Sequence, residues 1–407
     1  MGRIKIQNFG PVKDGLADKD GWIDFKKVTV FIGDQGSGKS TVAKLYSTLC
    51  WIEKAMVRGQ IKPDELSLYN RFLKQLKYQR IDNYIKSNTL LEYEGKFYHF
   101  HFHDSFFFAE KASGNGYLHP KIMYVPAERN FLSVVERPDK LKNLPSPLFT
   151  FLDEYDQARI FYSKGIALPI GNTRFEYDVL NKMAHITGGN YKLRLSEASS
   201  GFQSTVPLFL VTKFLTESLH RENDNSITTE SIEEQRRLAK EIEKIINDTA
   251  LSEEIKRETL RQLSARYKPS CFVNIVEEPE QNLFPGSQQK LLHSLMEYNN
   301  KHEGNKLILT THSAYIINYL TLAVKAEMVK TSVKSEEAAR KLNEIVPLQS
   351  TVKPDDLAIY QMNEEDGSIH ILPDYKGLPS DENYLNLDME HSNELFAQLQ
   401  EIEKGWR

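Results

Sequence analysis

The residues with the most specific chemistry form a glycine-rich segment near the N-terminus, with the spacing Gly-x-x-x-x-Gly-Lys-Ser. The segment consists of Gly33, Asp34, Gln35, Gly36, Ser37, Gly38, Lys39 and Ser40, and Thr41 follows it. Glycines let backbone N–H groups turn inward around phosphate oxygens at the beginning of a helix, where anions are already favoured. We expect Lys39 to reach the β- and γ-phosphates and the Ser40 hydroxyl to ligate Mg²⁺. The spacing therefore predicts a nucleotide polyphosphate as the ligand.

Two adjacent acids, Glu277 and Glu278, follow an apolar run at residues 272–276. A buried strand that ends in two carboxylates needs compensation, because uncompensated buried charge is costly. Glu277 can hold Mg²⁺ directly or through water, and Glu278 can orient or deprotonate an attacking water. The alternative is a strand that simply exits into solvent. The preceding phosphate loop favours the catalytic interpretation.

A histidine, His312, follows a second apolar strand predicted at residues 306–309. Parallel α/β sheets place their ligands at the carboxyl ends of the strands. We therefore expect His312 to contact the γ-phosphate and the attacking water, although an isolated histidine is more often structural.

A weaker signal lies at Ser199, Ser200, Gly201, Phe202 and Gln203, before a helix predicted to begin near residue 206. Serines and glycine at a helix N-terminus can form a second anion site, and helix capping explains the serines equally well.

Alternating strands and helices position these motifs, so the predicted fold class is α/β. Strands are predicted at 4–6, 22–25, 27–32, 90–108, 121–125, 271–276, 306–309 and, as a terminal pair, within 351–372. Helices are predicted at 41–56, 63–85, 288–299 and, as a helical hairpin, at 232–246 and 251–263. Residues 131–190 are predicted to be mostly helical.

Composition narrows the class of protein. The chain has 407 residues, 40% hydrophobic content, 27% charged content and a net charge of −4. This balance does not indicate nucleic-acid binding, and no apolar run reaches the 18 residues that a membrane span requires. Both cysteines, Cys50 and Cys271, are expected to be buried and reduced. We expect a cytoplasmic protein without a membrane partner.

Two clusters allow further interpretations. His99, His101 and His103 alternate on one strand, where a zinc site competes with a polar, half-exposed strand face, and the latter is favoured. A set of basic residues in the helical hairpin could contact DNA or RNA, but interleaved glutamates favour a solvated surface. The set comprises Arg236, Arg237, Lys240, Lys244, Lys256, Arg257 and Arg261.

The four motifs, in this order, resemble those of ABC-class ATPases, most closely the OLD-like group that includes ATPase subunits of bacterial anti-phage systems. The resemblance implies that residues 199–203 are the signature motif, that residues 277–280 are the Walker B segment, and that His312 is the switch histidine. It implies ATP and Mg²⁺ as cofactors and head-to-head homodimers, or higher homo-oligomers, in which one subunit's signature caps the other's ATP. Gln35 and Phe202 depart from the usual family residues.

The resemblance also implies a domain arrangement. Residues 1–60, 90–130, 191–227 and 268–407 would form a discontinuous ATPase head with a mixed central sheet and antiparallel N-terminal strands. Residues 61–89 would be a helical segment, 131–190 a mostly helical insertion and 228–267 a helical hairpin insertion. The glutamine loop is not placed, and Glu128-Arg129 is only a candidate for an active-site contact.

Fewer than 100 residues follow His312, without a convincing acidic cluster for the Toprim nuclease domain of OLD nucleases. The sequence therefore favours an ATP-hydrolysing switch that controls a separate effector, a nuclease or toxin, in phage defence. One alternative is an SMC-type DNA-repair ATPase, which the lack of sustained heptads disfavours. Another is a nucleotide-dependent scaffold that does not hydrolyse ATP.

Overall fold

The computed structural model describes residues 2–68, 70–135, 140, 143–219, 232–248, 255–257, 259–260, 263 and 267–405. The described α-helices are α1 (Lys39–Val57), α2 (Pro63–Ser67), α3 (Arg71–Tyr78), α4 (Phe131–Val134), α5 (Ser146–Phe161), α6 (Ser200–Ser218), α7 (Ile232–Asn247), α8 (Pro285–Asn300), α9 (Ala314–Lys330), α10 (Glu336–Ile345) and α11 (Tyr384–Gly405). The described β-strands are β1 (Arg3–Phe9), β2 (Gly15–Leu16), β3 (Trp22–Asp24), β4 (Val28–Gly33), β5 (Ile85–Glu94), β6 (Tyr98–His103), β7 (Phe106–Lys111), β8 (Pro120–Val125), β9 (Ile166–Ala167), β10 (Arg174–Asp178), β11 (Met183–Gly188), β12 (Tyr191–Arg194), β13 (Cys271–Glu277), β14 (Lys306–Thr311), β15 (Leu357–Met362), β16 (Ser368–Ile371), β17 (Asp374–Tyr375) and β18 (Leu378–Pro379).

A seven-stranded sheet with the order β2-β16-β15-β4-β14-β13-β8 forms the centre of the fold. Its strands β15, β4, β14, β13 and β8 are all parallel. Strands β4 and β13 are buried along their whole length, as expected for apolar runs covered on both faces. Helix α1 and the N-terminal sheet pack on one face, and α5, α6, α8 and α9 pack on the other. The predicted α/β class, with its mixed central sheet, is confirmed.

A five-stranded antiparallel sheet, with the order β3-β1-β5-β6-β7, contains the predicted N-terminal strands. A turn at Gly95 joins β5 to β6, and the Gly95 N–H donates to the Tyr98 carbonyl at 2.9 Å. Along β6, Phe100 and Phe102 are buried. The histidines between them lie on the other face, which is half-buried to exposed.

Residues 131–190 are not mostly helical, and this prediction is wrong from residue 166 onward. Helices α4 and α5 are present, but β9 to β12 form a four-stranded antiparallel sheet. The alternation in β10 places Phe175 and Tyr177 in the core, and Gly171 and Gly189 adopt left-handed φ angles between strands. Period-two alternation and turn glycines are typical of such a meander.

The helix predicted at residues 63–85 is shorter than expected. It is divided into α2 and α3, and α3 ends at Tyr78. Arg80 has a left-handed φ of 56°, and the Ile81 N–H bonds back to the Leu76 carbonyl, which closes the helix. Strand β5 then begins at Ile85. Tyr69, which belongs to the predicted helix, lies outside the described residues.

Helix α6 begins at Ser200, six residues before its predicted start, so the serine-rich segment forms its first turn. Pro207 lies inside this helix and has no N–H to donate to the Gln203 carbonyl. The Ser133 hydroxyl donates to that carbonyl instead, at 2.8 Å. A contact from α4 thus replaces the hydrogen bond that the proline removes.

The first helix of the predicted hairpin is observed as α7, whereas most of the second helix, with Arg261, lies outside the described residues. The side chains of Arg236 and Arg237 are also outside the described part, while Lys240, Lys244 and Arg257 are exposed.

Tyr267 anchors the end of this insertion to α1. Its carbonyl accepts from Arg58 Nη2 at 2.7 Å, and the Arg58 guanidinium lies 4.7 Å from the centre of its ring. Its hydroxyl bonds Gln60 and Glu241.

None of the helices in the described part of the chain has the length and apolar character needed to cross a membrane.

Candidate nucleotide-binding and catalytic site

Strand register brings the predicted catalytic segments to one edge of the central sheet. Glu277 at the end of β13 lies opposite Thr310 of β14, and Thr311 lies opposite Ile32 of β4. The phosphate loop follows β4, and His312 follows β14 immediately. The carboxyl ends of adjacent parallel strands therefore hold all three segments side by side, where α/β sheets bind ligands.

The phosphate loop has a backbone that only glycine can adopt at key positions. Gly33 has a φ of 141°, and a Cβ there would lie 2.1 Å from the Met362 carbonyl oxygen of the adjacent strand. Gly38 has a φ of 102° and caps α1 at its N-terminus. The first N–H groups of a helix have no intrahelical acceptor, so those after Gly38 remain available for an anion. Ser40 and Thr41 lie in this first turn.

The side chain of Lys39 is folded onto the loop. Its Nζ donates to the carbonyls of Gly33 at 2.7 Å and Asp34 at 2.6 Å and approaches Ser37 Oγ at 3.4 Å. Burial lowers the Lys39 pKa to about 8, although the carboxylates of Asp34 and Glu278 oppose this shift. An ammonium that is already desolvated and held by weak neutral acceptors can transfer to phosphate oxygens.

Glu277 is buried, with 6% of its surface exposed, and its Oε2 accepts from the Ala127 N–H at 3.2 Å. The Tyr124 hydroxyl lies beside this carboxylate but outside hydrogen-bonding geometry. Burial, followed by the Glu277 charge, raises the Tyr124 pKa. Glu277 is therefore oriented from the β8 side, at the sheet edge that also carries Ser40. A hydroxyl and a carboxylate are the hard oxygen ligands that Mg²⁺ prefers, so this donor set fits the ion.

Glu278 adopts a left-handed φ of 43°, which is uncommon for a residue with a long side chain. Its N–H donates to the Thr310 carbonyl at 2.9 Å, so its backbone still pairs with β14. The turn at this position directs the chain out of the sheet just after Glu277. Left-handed non-glycine residues of this kind are concentrated at functional sites.

Arg129, which the sequence offered only as a candidate for an active-site contact, binds the backbone at the end of β13. It is fully buried, and it donates to the carbonyls of Glu277 at 2.7 Å and Glu278 at 2.6 Å. Its Nε also donates to the Ser204 carbonyl in α6 at 3.2 Å. Burial lowers the Arg129 pKa to about 10, against the opposing effect of the nearby glutamates. Arg129 thus ties the end of β13 to α6, while its neighbour Glu128 is exposed.

His312 is positioned by a carboxylate that the sequence analysis named only as part of the Walker B segment. The backbone N–H of His312 donates to Glu280 Oε1 at 2.8 Å. Burial raises the Glu280 pKa, and its Oε2 has no hydrogen-bond partner among the described residues. Burial and the Lys39 charge lower the His312 pKa, which favours the neutral imidazole at pH 7.

Glu364 is a second charged group that the sequence analysis did not place at the site. A Cβ added to Gly36 would lie 3.6 Å from Glu364 Oε2, so this carboxylate lies against the phosphate loop. Its charge also acts on Lys39.

The signature residues lie at the N-terminus of α6, which packs on the turn that follows Glu280. Ser199 and Ser200 are exposed, and a Cβ on Gly201 would lie 2.9 Å from the Asn282 carbonyl oxygen. The Gln203 side chain is buried, and its Nε2 donates to the carbonyls of Ser196 and Ala198, each at 3.0 Å.

Neither a protein-family model nor a curated protein sequence matches the chain. Among solved structures, the chain is similar to the SMC head domain from Thermotoga maritima, with 10% identity, a TM-score of 0.37, and coverage of 92% of this chain and 98% of that chain. It is also similar to the Smc head domain of Pyrococcus furiosus bound to the C-terminal domain of ScpA (9% identity, TM-score 0.41, 98% and 100% coverage). A dimeric bacterial ABC transporter cassette is a further neighbour (11% identity, TM-score 0.26, 92% and 100% coverage).

Proposed function

We propose that this chain is a Mg²⁺-dependent ABC-class ATPase of the OLD-like kind, which dimerises around ATP and controls a separate effector. The observation that carries the proposal is the convergence of three segments at one sheet edge. The phosphate loop, the acids Glu277 and Glu278, and His312 follow three adjacent parallel strands. Each segment could have a purely structural role on its own. A catalytic role explains why all three lie side by side.

In the proposed mechanism, the backbone N–H groups after Gly38 and the Lys39 ammonium bind the phosphates. Ser40 and Glu277 would hold Mg²⁺, which would supply positive charge against the β- and γ-phosphates. Glu278 orients a water and takes its proton as the oxygen bonds to the γ-phosphorus and the bond to the β-phosphate oxygen breaks, which gives ADP and phosphate. His312, held by Glu280, contacts the γ-phosphate.

The signature segment suggests that each site needs a second subunit. Ser199 and Ser200 are exposed at the beginning of a 19-residue helix, where a phosphate from another copy could bind. We therefore propose a head-to-head homodimer with two shared ATP molecules. Closure of this dimer would move the insertions and so signal to a nuclease or toxin in anti-phage defence.

Turnover and assembly of two variants test the ATPase. Glu278→Gln should lower turnover by about 10²–10⁴-fold, because the general base is lost, while ATP binding and ATP-dependent dimerisation remain. Lys39→Ala should lose both binding and dimerisation. Exposed Glu337→Gln and Lys341→Ala, on α10, are the matched controls. Phosphate release and sedimentation with ATP give the readouts.

Wild-type turnover in Glu278→Gln would refute the assignment of the base. ATP-dependent dimerisation of the wild type without any turnover would instead support a scaffold.

Affinity purification from the native host tests the effector. The wild type and Glu278→Gln should retain a partner that Lys39→Ala loses. Identical partners in all three samples would exclude control by ATP.

A further inference from the structure

A cavity of about 310 Å³ lies between α1, α3, α5 and the edge strand β8. It is lined by residues from the second half of α1, beginning at Ser47, about 12 Å along the helix axis from Lys39. Its volume falls within the range of small-molecule sites. The proposed ATPase mechanism does not use this cavity.

The lining of the cavity is basic. Lys54, Lys74 and Lys121 contribute to it, and none of its fourteen described lining residues is acidic. Lys121 is paired at 2.6 Å with Glu154, which is buried outside the lining. Lys74 is exposed on α3 and therefore lies at the solvent side. This charge distribution favours an anionic occupant whose charged group is near Lys74.

The cavity also offers aromatic surface and an unsatisfied acceptor. Trp51, Tyr78 and Tyr124 supply rings on different walls. Gln79 is 3% exposed, and its Nε2 approaches Ser47 Oγ at 3.5 Å. Its Oε1 is buried and has no hydrogen-bond partner among the described residues. Buried acceptors are normally satisfied, so an N–H or O–H donor placed in the cavity would complete the hydrogen bonding of Gln79.

We propose that this cavity binds a small anion that carries a heteroaromatic ring with an N–H donor, the chemistry of a nucleoside monophosphate. The ring packs on Trp51, its N–H donates to Gln79, and the phosphate lies near Lys74. Tyr124 lines the cavity and also lies beside Glu277. Tyr124 would therefore contact the occupant and also lie next to Glu277, the proposed metal-binding acid.

Calorimetric titration of the full chain tests the site directly, with AMP, GMP, CMP and UMP as probes and with saturating Mg·ADP. At least one probe should bind at one site per chain. Lys74→Glu should weaken this binding at least tenfold, because it replaces attraction by repulsion. Lys77→Glu is the matched control, since it makes the same charge change on the exposed surface of the same helix outside the lining.

Three results would overturn the proposal. These are no binding of any probe, equal binding by the two charge-reversed variants, and loss of binding in Lys39→Ala, which would assign the probe to the phosphate loop. Because binding is measured rather than turnover, a chain without ATPase activity would still pass the test. Failure of the proposed function is thus distinguishable from failure of this site.

Discussion

The two large sheets distribute their polar side chains in different ways. In the seven-stranded sheet, strands β4 and β13 are covered on both faces, and the charged groups collect where the strands end. In the five-stranded sheet, polar and apolar residues alternate along β6, so that its histidines are spread over a half-exposed face. A strand that is buried on both faces offers only its end for chemistry. When several such strand ends lie in register, their polar residues form one site. When polar and apolar residues alternate along a strand, the polar residues are spread over one face of the sheet.

The difference extends to how each region is stabilised. The proposed catalytic edge contains the buried charge of Arg129 and the left-handed backbone of Glu278. It also contains a Glu280 oxygen that has no hydrogen-bond partner in the described part of the chain. The antiparallel sheet is stabilised by ring packing, with Phe100 lying 5.2 Å from Tyr93 between ring centres. The first region should therefore be sensitive to polar substitutions, and the second to loss of volume.

Arg129→Ala should have the largest effect on stability. It removes a charged donor from the carbonyls of Glu277, Glu278 and Ser204, and each such hydrogen bond is worth about 1.5–3 kcal/mol, so we expect a loss of about 5 kcal/mol. Urea denaturation measures this, and phosphate release should fall in the remaining folded protein. Arg340→Ala, at an exposed position on α10, should change stability by less than about 0.5 kcal/mol. Equal stability of the two variants would contradict the role of Arg129 as a clamp.

Phe100→Ala should destabilise the five-stranded sheet without changing ATP turnover. The residue is 1% exposed and packs against Tyr93 and Phe107, so its truncation should cost about 3 kcal/mol. Turnover per folded molecule should stay unchanged. His101→Ala, on the opposite face of the same strand, should cost less than about 0.5 kcal/mol. A loss of turnover in folded Phe100→Ala would show that the two regions are coupled.

The rate of ATP turnover should depend on pH through the charge of Lys39. The Lys39 pKa of about 8 means that the free protein holds a charged ammonium below pH 8 and loses it above. The second-order rate constant for ATP turnover should be flat near pH 7 and fall about tenfold per pH unit above pH 8. Lys39→Arg, which stays charged, should give a lower but flat profile up to pH 9.5. The same alkaline fall in both proteins would assign it to another group.

Glu364→Gln should have the smallest effect. Its carboxylate lies against the phosphate loop at Gly36, so removal of the charge should tighten ATP binding about two- to threefold at low salt. Added salt should reduce the difference between variant and wild type. Glu365→Gln makes the same change one residue further along the exposed turn. An equal gain in both variants would indicate a long-range effect of net charge rather than contact with the loop.

The sequence predicted the elements whose patterns are local. The apolar runs before Gly33, Glu277 and His312 are strands, and the helix after the phosphate loop begins at Lys39. Spacing alone could not show that these strands are adjacent. The strand register shows that they are.

The features that the sequence missed depend on contacts between distant residues. Arg129 contacts carbonyls that lie 148 and 149 positions away, and no property of the segment 126–130 indicates which ones. The early start of α6 was obscured by Pro207, because the compensating donor, Ser133, belongs to another helix. The sheet at 166–194 did have a local signal, in the alternation around Phe175 and Tyr177. The strands have only two to six residues, so their alternation is too short to distinguish them from loops.

The left-handed backbone of Glu278 affects how this protein would respond to selection for stability. A glutamate at a φ of 43° stores about 1–2 kcal/mol that glycine or asparagine would release. A search for stabilising substitutions would therefore select position 278 early and remove the proposed base. Stability and turnover favour opposite residues at this single position. A thermostable library of this protein should consequently be enriched in inactive members unless position 278 is held fixed.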